Sequence, residues 1–153
     1  MKFSYLISAA FIASLVAAPA LVPQRATADE IAAAPAAAPN DTILTDGGTR
    51  YACAGTAESK FDPRWDEFAA KIVTAASNGT LLGHVDIAIA DAAGAPVLDV
   101  FCEAPWLLAD VAPGSYTAHV VARDGQFEET VSFDVAATGQ TEVLVSFDEI
   151  YEP

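Results

Sequence analysis

The strongest constraint on the fold is a two-residue alternation of apolar and polar side chains from Leu81 onward. In the stretch HVDIAIA, Val85, Ile87 and Ile89 share one face, because successive side chains of a β-strand point to opposite sides of the sheet. The stretch FEETVSFDV, residues 127–135, alternates in the same way. Half-buried strands produce this pattern, whereas the apolar residues of an amphipathic helix recur about every 3.6 residues. This part of the chain therefore predicts an all-β fold.

Six strands are predicted after Leu81, and glycine-containing turns separate most of them. The runs are HVDIAIA (84–90), APVLDVFC (95–102), PWLLADV (105–111), SYTAHVVA (115–122), FEETVSFDV (127–135) and TEVLVSF (141–147). Upstream, the stretches TRYACAG (49–55) and AKIVTAAS (70–77) also have the composition of strands. Short strands at regular spacing with glycine turns are typical of sandwiches and barrels. We therefore predict an antiparallel β-sandwich of seven or eight strands.

One segment favours a helix instead. Asp62 is a suitable cap, Pro63 fits the first helical position and Glu67 lies in the first turn, so a short helix is predicted near residues 62–69. The following AKIVTAAS is compatible with a continued helix or with a strand. The Asn78-Gly79 pair behind it is a strong hairpin signal and favours the strand.

The N-terminus has the three parts of a secretory signal peptide. Lys2 precedes an apolar run over residues 3–18, and the small-residue site ATA follows at 26–28. Pro19 and Pro23 interrupt the apolar character, which argues against a transmembrane anchor. We therefore predict a product in the periplasm or outside the cell, without a membrane anchor after cleavage.

Three segments follow from this organisation. Residues 1–28 are predicted to be the signal peptide. Residues 29–45 are rich in Ala and Pro, and their prolines disfavour a helix, so we expect a flexible linker. Residues 46–153 are expected to form one β-sandwich domain.

Cys53 and Cys102 are the chain's two cysteines. In an oxidising compartment an even pair predicts a disulfide. A C-x-x-C redox motif does not occur in the sequence, so we expect this bond to be a structural cross-link.

The charge balance excludes several partners. The formal net charge is −14, and removal of Lys2 and Arg25 with the signal peptide makes it −16. Binding of nucleic acid or anionic lipid needs clustered Lys and Arg to replace counterions. We therefore expect no nucleic-acid partner.

Three short motifs lie between Asp91 and Gly125. They are a D-x-x-G hairpin at 91–94, a V-x-P-G-x-Y corner at 111–116 and a D-G turn at 124–125. With them the chain resembles the carboxypeptidase regulatory-like domain, a transthyretin-like β-sandwich. The stretches GGTRYACAG and PWLL further resemble small exported bacterial proteins built on one such domain. The resemblance implies a transthyretin-like (prealbumin-like) fold and assigns no activity.

The corner itself is predicted to be a structural turn. Pro113 fixes its own φ and Gly114 tolerates a positive φ. Tyr116, two residues later, is placed to bury its ring and to bond its hydroxyl to nearby backbone.

The sequence offers little catalytic chemistry. His84 and His119 are the only imidazoles and lie 35 positions apart, and the nucleophile motif G-x-S-x-G does not occur. Cysteines in a disulfide cannot bind zinc, and the sequence has no calcium loop of the D-x-D-x-D-G type. We therefore predict no catalytic residue, no metal site and no cofactor.

We expect a non-enzymatic exported module, most simply a monomer, with a structural or binding accessory role in the cell envelope. Its partner would be an envelope protein or a glycan. One alternative is a carbohydrate- or peptide-binding module that uses exposed tryptophan, with Trp65 expected to be the more exposed and Trp106 favoured for a core or sheet-edge role. The other is a small hydrolase or metal-dependent enzyme that uses His84, His119 or an acidic cluster.

Overall fold

A computed structural model describes residues 36–122 and 125–148. The predicted signal peptide (1–28), the linker before Ala36 and Asp124 of the D-G turn lie outside the described residues. Two 3-10 helices, Ala57–Phe61 and Pro63–Glu67, follow the third strand. The strands are β1 (Ala37–Ala38), β2 (Ile43–Asp46), β3 (Thr49–Ala54), β4 (Ala70–Ala76), β5 (Val85–Asp91), β6 (Pro96–Cys102), β7 (Trp106–Ala109), β8 (Gly114–Ala122), β9 (Phe127–Val135) and β10 (Thr141–Phe147).

The strands form two five-stranded sheets. The front sheet has the order β1-β6-β5-β8-β9, and the back sheet has the order β10-β4-β7-β3-β2. Residues from both sheets contribute to one buried apolar cluster. The all-β sandwich predicted from the sequence is therefore confirmed.

Two details of that prediction are wrong. The structure has ten strands, not seven or eight, and the sheets are mixed, because β1 lies parallel to β6 and β10 lies parallel to β4. The chain crosses from β9 in the front sheet to β10 in the back sheet. A crossing between sheets, unlike a tight hairpin, does not force the incoming strand to be antiparallel to its neighbour.

Of the two additional strands, β1 lies within residues 29–45, the range predicted to be a flexible linker, and β2 begins there and ends at Asp46. Strand β2 pairs with β3 from Ile43 to Asp46, and Ala38 of β1 is buried against the core. Pro39 lies between the two strands and interrupts neither ladder. This Ala/Pro tract has no alternation of its own, so its strand structure depends on pairing, of β1 with the distant β6 and of β2 with the adjacent β3.

The alternation seen in the sequence matches the inner face of the front sheet. Val85, Ile87 and Ile89 of β5 are at most 1% exposed. Their neighbours in β8, namely Ala118 and Val120, are also buried. The polar residues between them point to the outer face, as a half-buried strand requires.

The Cys53–Cys102 disulfide joins the two sheets through the core. Cys53 belongs to β3 of the back sheet and Cys102 to β6 of the front sheet. Their Cα atoms are 5.5 Å apart, and both side chains are fully buried. The bond therefore cross-links the sandwich at its centre.

The corner before β8 is held by Tyr116. Its hydroxyl donates a 2.7 Å hydrogen bond to the backbone carbonyl of Ala112, and its ring stacks on Phe133 with a centroid distance of 5.8 Å. Gly114, which lies between Ala112 and Tyr116 in the chain, has a φ of +155°. The tyrosine thus ties the start of β8 to the loop that precedes it.

We predict that the Cys53→Ala/Cys102→Ala variant loses about 2 to 4 kcal/mol of unfolding free energy, because the closed loop no longer restricts the unfolded chain. Urea unfolding monitored by circular dichroism measures this loss. Wild-type protein with reductant throughout should shift by a similar amount. An unchanged midpoint in both experiments would show that the bond does not stabilise the fold.

We predict that Tyr116→Phe costs about 1 kcal/mol of unfolding free energy, because the Ala112 carbonyl loses its donor. Tyr51→Phe is a matched control, since Tyr51 is equally buried and its hydroxyl makes no hydrogen bond among the described residues. The pKa of Tyr51 is raised, mainly by its burial and to a smaller extent by the negative charge of Asp46. Equal losses for the two variants, measured by urea unfolding, would contradict a specific role for the Tyr116 hydroxyl.

Candidate functional site

The outer face of the back sheet is apolar at its centre. Ala52 and Ala54 of β3 and Leu108 of β7 point away from the main core, yet each is fully buried. They form a second apolar cluster with Trp65 and Phe68. This face therefore carries a layer of chain that removes it from water.

The covering layer, here called the cover, is the connection between β3 and β4, residues 56–69. It contains both 3-10 helices. Trp65 and Phe68 are 2% and 1% exposed, whereas Phe61 on the same segment is 84% exposed. The short helix predicted near 62–69 thus corresponds to the second 3-10 helix. The stretch AKIVTAAS, for which a strand was the favoured prediction, contains strand β4.

Local chemistry explains where the second 3-10 helix begins. The Asp62 carboxylate accepts a 3.0 Å hydrogen bond from the backbone N–H of Arg64, and Pro63 occupies the first helical position. The Arg64 guanidinium donates to the same carboxylate over 2.6 and 2.9 Å. These hydrogen bonds lower the pKa of Asp62 and raise that of Arg64, so the cap stays charged to a lower pH than an ordinary aspartate.

Polar side chains outside the cover hold its C-terminal end. The Gln140 amide donates to the backbone carbonyls of Trp65 and Phe68 over 2.6 and 3.1 Å. The Asp110 carboxylate accepts from the backbone N–H of Ala69 over 3.2 Å and from the Arg50 Nε over 2.6 Å. The Arg50 guanidinium also lies over the Phe68 ring, 4.7 Å from its centroid.

Arg50, Asp110 and Gln140 are therefore positions that hold the cover and that the sequence did not single out. Arg50 and Asp110 lie within the predicted strands TRYACAG and PWLLADV, and Gln140 immediately precedes the predicted strand TEVLVSF. Asp110 and Gln140 bond to backbone atoms of the cover. Because every residue has a backbone N–H or carbonyl, the identity of the partner residue does not reveal such a bond. The one available signal was their polarity beside apolar runs such as PWLLADV.

A cavity of about 230 Å³ opens beside this end of the cover. It is lined by residues 66–69, by Asp110, Val111 and Pro113, and by the loop 136–139. Asp66 and Glu67 contribute carboxylates, but the Asp110 carboxylate is already occupied by Arg50 and by Ala69. The cavity thus has acidic walls next to an ion pair that stabilises the cover.

Two further cavities are present, one between β9 of the front sheet and the end of β10 of the back sheet and one on the front sheet. The larger, about 400 Å³, is lined by Phe127, Glu128, Glu129, Phe147 and Asp148 together with Gln126. The smaller, about 240 Å³, has a wall of hydroxyl-bearing residues with Asp134. Carboxylates line both cavities, and neither is lined by a histidine among the described residues.

The two histidines lie apart. His84 immediately precedes β5 with a φ of +56° and contacts Phe101. His119 lies in the middle of β8 opposite Ala88, exposed, with its Nδ1 3.1 Å from the Thr130 hydroxyl. Ala88 lies four positions after His84, so the two histidines are offset by about 13 Å along the strand direction. The imidazoles therefore do not converge on one cleft.

The two tryptophans have different surroundings. Trp65 is buried in the cover, and its indole N–H donates a 2.6 Å hydrogen bond to the Ser59 carbonyl. The greater exposure expected for Trp65 is therefore wrong, because the indole fills the space above β3 and β7. Neither face of a ring buried to this degree is open to a sugar.

Trp106 is half-buried in β7. Its ring packs so closely on Gly55 that a Cβ at that position would approach it to 2.4 Å. The Lys71 ammonium lies 3.8 Å from the ring centroid and donates to Glu142 over 2.9 Å. Gly55 and Lys71 thus both contact the ring, while the buried indole N–H of Trp106 has no hydrogen-bond partner among the described residues.

No group of three or more His, Cys, Asp or Glu side chains among the described residues is arranged to hold a metal ion. Within the same residues, no helix has the length and apolar character needed to cross a membrane.

No protein-family model matches the chain, and no curated protein matches it either.

We predict that Trp65→Ala costs about 3 to 5 kcal/mol of unfolding free energy, because it removes the largest side chain beneath the cover. The control is Phe61→Ala, which removes an exposed aromatic four positions away and should change stability by less than about 0.5 kcal/mol. Chemical unfolding of both variants measures the difference. Similar values for the two variants would show that the cover does not contribute to stability through Trp65.

Proposed function

We propose that the chain is a non-enzymatic exported β-sandwich module with a structural or binding accessory role in the cell envelope. The observation that carries the proposal is that three basic side chains around the back sheet each form an ion pair with a neighbouring carboxylate. Arg50 bonds Asp110, Arg64 bonds Asp62 and Lys71 bonds Glu142. These ion pairs hold residues of the cover and of the back sheet in place. Charged side chains with this structural role fit a scaffold protein.

The positions of the histidines also support this proposal. A general base must lie within hydrogen-bond reach of the group that it activates. His119 contacts Thr130 and lies 3.7 Å from Glu128, both on the neighbouring strand. His84 contacts Phe101. Both sets of contacts fit surface residues of a sheet.

Export is part of the proposal. A buried disulfide between the sheets is compatible with an oxidising compartment. Together with the signal-peptide pattern at residues 1–28, it supports a periplasmic or secreted location.

We also retain the relationship to the carboxypeptidase regulatory-like domain as a proposal. Its support is the V-x-P-G-x-Y corner, in which the Tyr116 hydroxyl bonds the Ala112 carbonyl. The motif accounts for the shape of the domain and assigns no ligand.

An activity screen tests the non-enzymatic role. Wild-type protein and the His84→Ala/His119→Ala variant would be incubated with ester, glycoside, peptide and phosphoester substrates, with and without added Zn²⁺ or Ca²⁺. We expect both proteins to show only the background rate. Turnover by the wild type that the double variant loses would overturn the proposal in favour of an enzyme.

A further inference from the structure

Charge is divided unequally between the two sheets. The strands of the back sheet contain two acidic and two basic residues: Asp46, Glu142, Arg50 and Lys71. The strands of the front sheet contain six acidic residues and no basic one: Asp86, Asp91, Asp99, Glu128, Glu129 and Asp134. Negative charge therefore accumulates on the front sheet, whereas charges on the back sheet balance.

The front sheet ends in a long edge strand. Strand β9 has nine residues and pairs with β8 through all nine without a register shift. It is the last strand of the front-sheet order, so among the described residues no strand forms a hydrogen-bonded ladder with its other side, although β10 of the back sheet packs beside it. Such an edge is a template for pairing with another chain.

Side chains along β9 add charge to this edge. Glu128, Thr130, Ser132 and Asp134 alternate on the outer face. Glu129 lies in the inward-facing register but is exposed. The carboxylates thus occupy both faces of the strand, with Asp134 held in place by a hydrogen bond from Ser115.

This pattern selects among the possible occupants of the edge. Pairing of β9 with a second copy of itself would bring a strand with three carboxylates beside an identical strand, and like charges directly opposite are destabilising. An inward-pointing charge also opposes pairing with a uniformly apolar strand. A cationic strand meets neither obstacle, because its charges complement those of β9.

We propose that β9 binds a cationic, extended segment of a partner protein, which adds to the front sheet as a further strand. Basic residues of the segment lie opposite Glu128 and Asp134, six positions or about 20 Å apart. A third basic residue lies opposite Glu129, with apolar residues opposite Val131 and Phe133. The inference rests on the proposed accessory function and specifies the chemistry of its partner.

The probes are three nine-residue peptides. The first has Lys at the three positions that oppose Glu128, Glu129 and Asp134, Thr opposite Thr130 and Ser132, and Val at the other four, and is called the Lys–Val peptide. The second has the same sequence with every backbone amide methylated, and the third has Glu in place of each Lys. Methylation keeps the charge but removes the donors that a strand needs. We expect the unmethylated Lys–Val peptide to bind in an NMR titration and to slow hydrogen exchange in β9. The other two peptides should bind at least tenfold more weakly.

Two variants with the same change in charge locate the site. Glu128→Gln/Asp134→Asn removes two charges from the edge, and we expect it to weaken Lys–Val peptide binding about 2- to 30-fold through the loss of two cross-strand pairs. Glu58→Gln/Asp66→Asn removes two exposed charges from the cover. This control should bind like the wild type.

Several results would overturn the edge proposal. They are no binding of the Lys–Val peptide at millimolar concentration, equal binding of the methylated peptide, or equal weakening by the two double variants. Dimerisation through β9 in sedimentation experiments would assign the edge to a second copy instead. The accessory function is tested separately by the activity screen, so it stands if only the peptide experiments fail.

Discussion

Burial of β3 and β7 on both faces is the constraint on which the rest of the structure depends. Cys53 and Leu107 face the core between the sheets, while Ala54 and Leu108 face the opposite way, and all four are fully buried. A strand buried on both sides needs an apolar layer on each. One layer is the front sheet, and the other is the cover with Trp65.

The same strands connect the two layers. Cys53 of β3 bonds Cys102 of the front sheet, while Ala52 and Ala54 on either side of it contact the cover. Because the cover also continues directly from β3, its position follows from the strand that the disulfide holds. The polar contacts of Asp110 and Gln140 then fix the end of the cover that leads into β4.

Much of the fold could be predicted from the sequence, because strands with one wet face record their burial as alternation. Strands β5, β8, β9 and β10 are of this kind, and their predicted ranges agree with the structure within about two residues. Strand β1 was not predicted because two alanines carry no period, and the burial of Ala38 in the core follows from the placement of β1 beside the distant β6. The burial of Trp65 was not predicted because its neighbours in the chain, Arg64 and Asp66, are charged and exposed. A short 3-10 helix also has too few residues for a periodic pattern to reveal its buried side.

The division of charge follows from the same architecture. The back sheet faces the cover, so its cations lie at the margin of an apolar layer, where Lys71 and Arg50 each bind a carboxylate and an aromatic ring. The outer face of the front sheet carries no comparable apolar cluster among the described residues, so charged groups can be placed there without the cost of removing them from water. Recognition at β9 would use backbone groups that every strand possesses. The sequence can therefore record such a site only through the charges beside the edge, and Glu128, Glu129 and Asp134 are those charges.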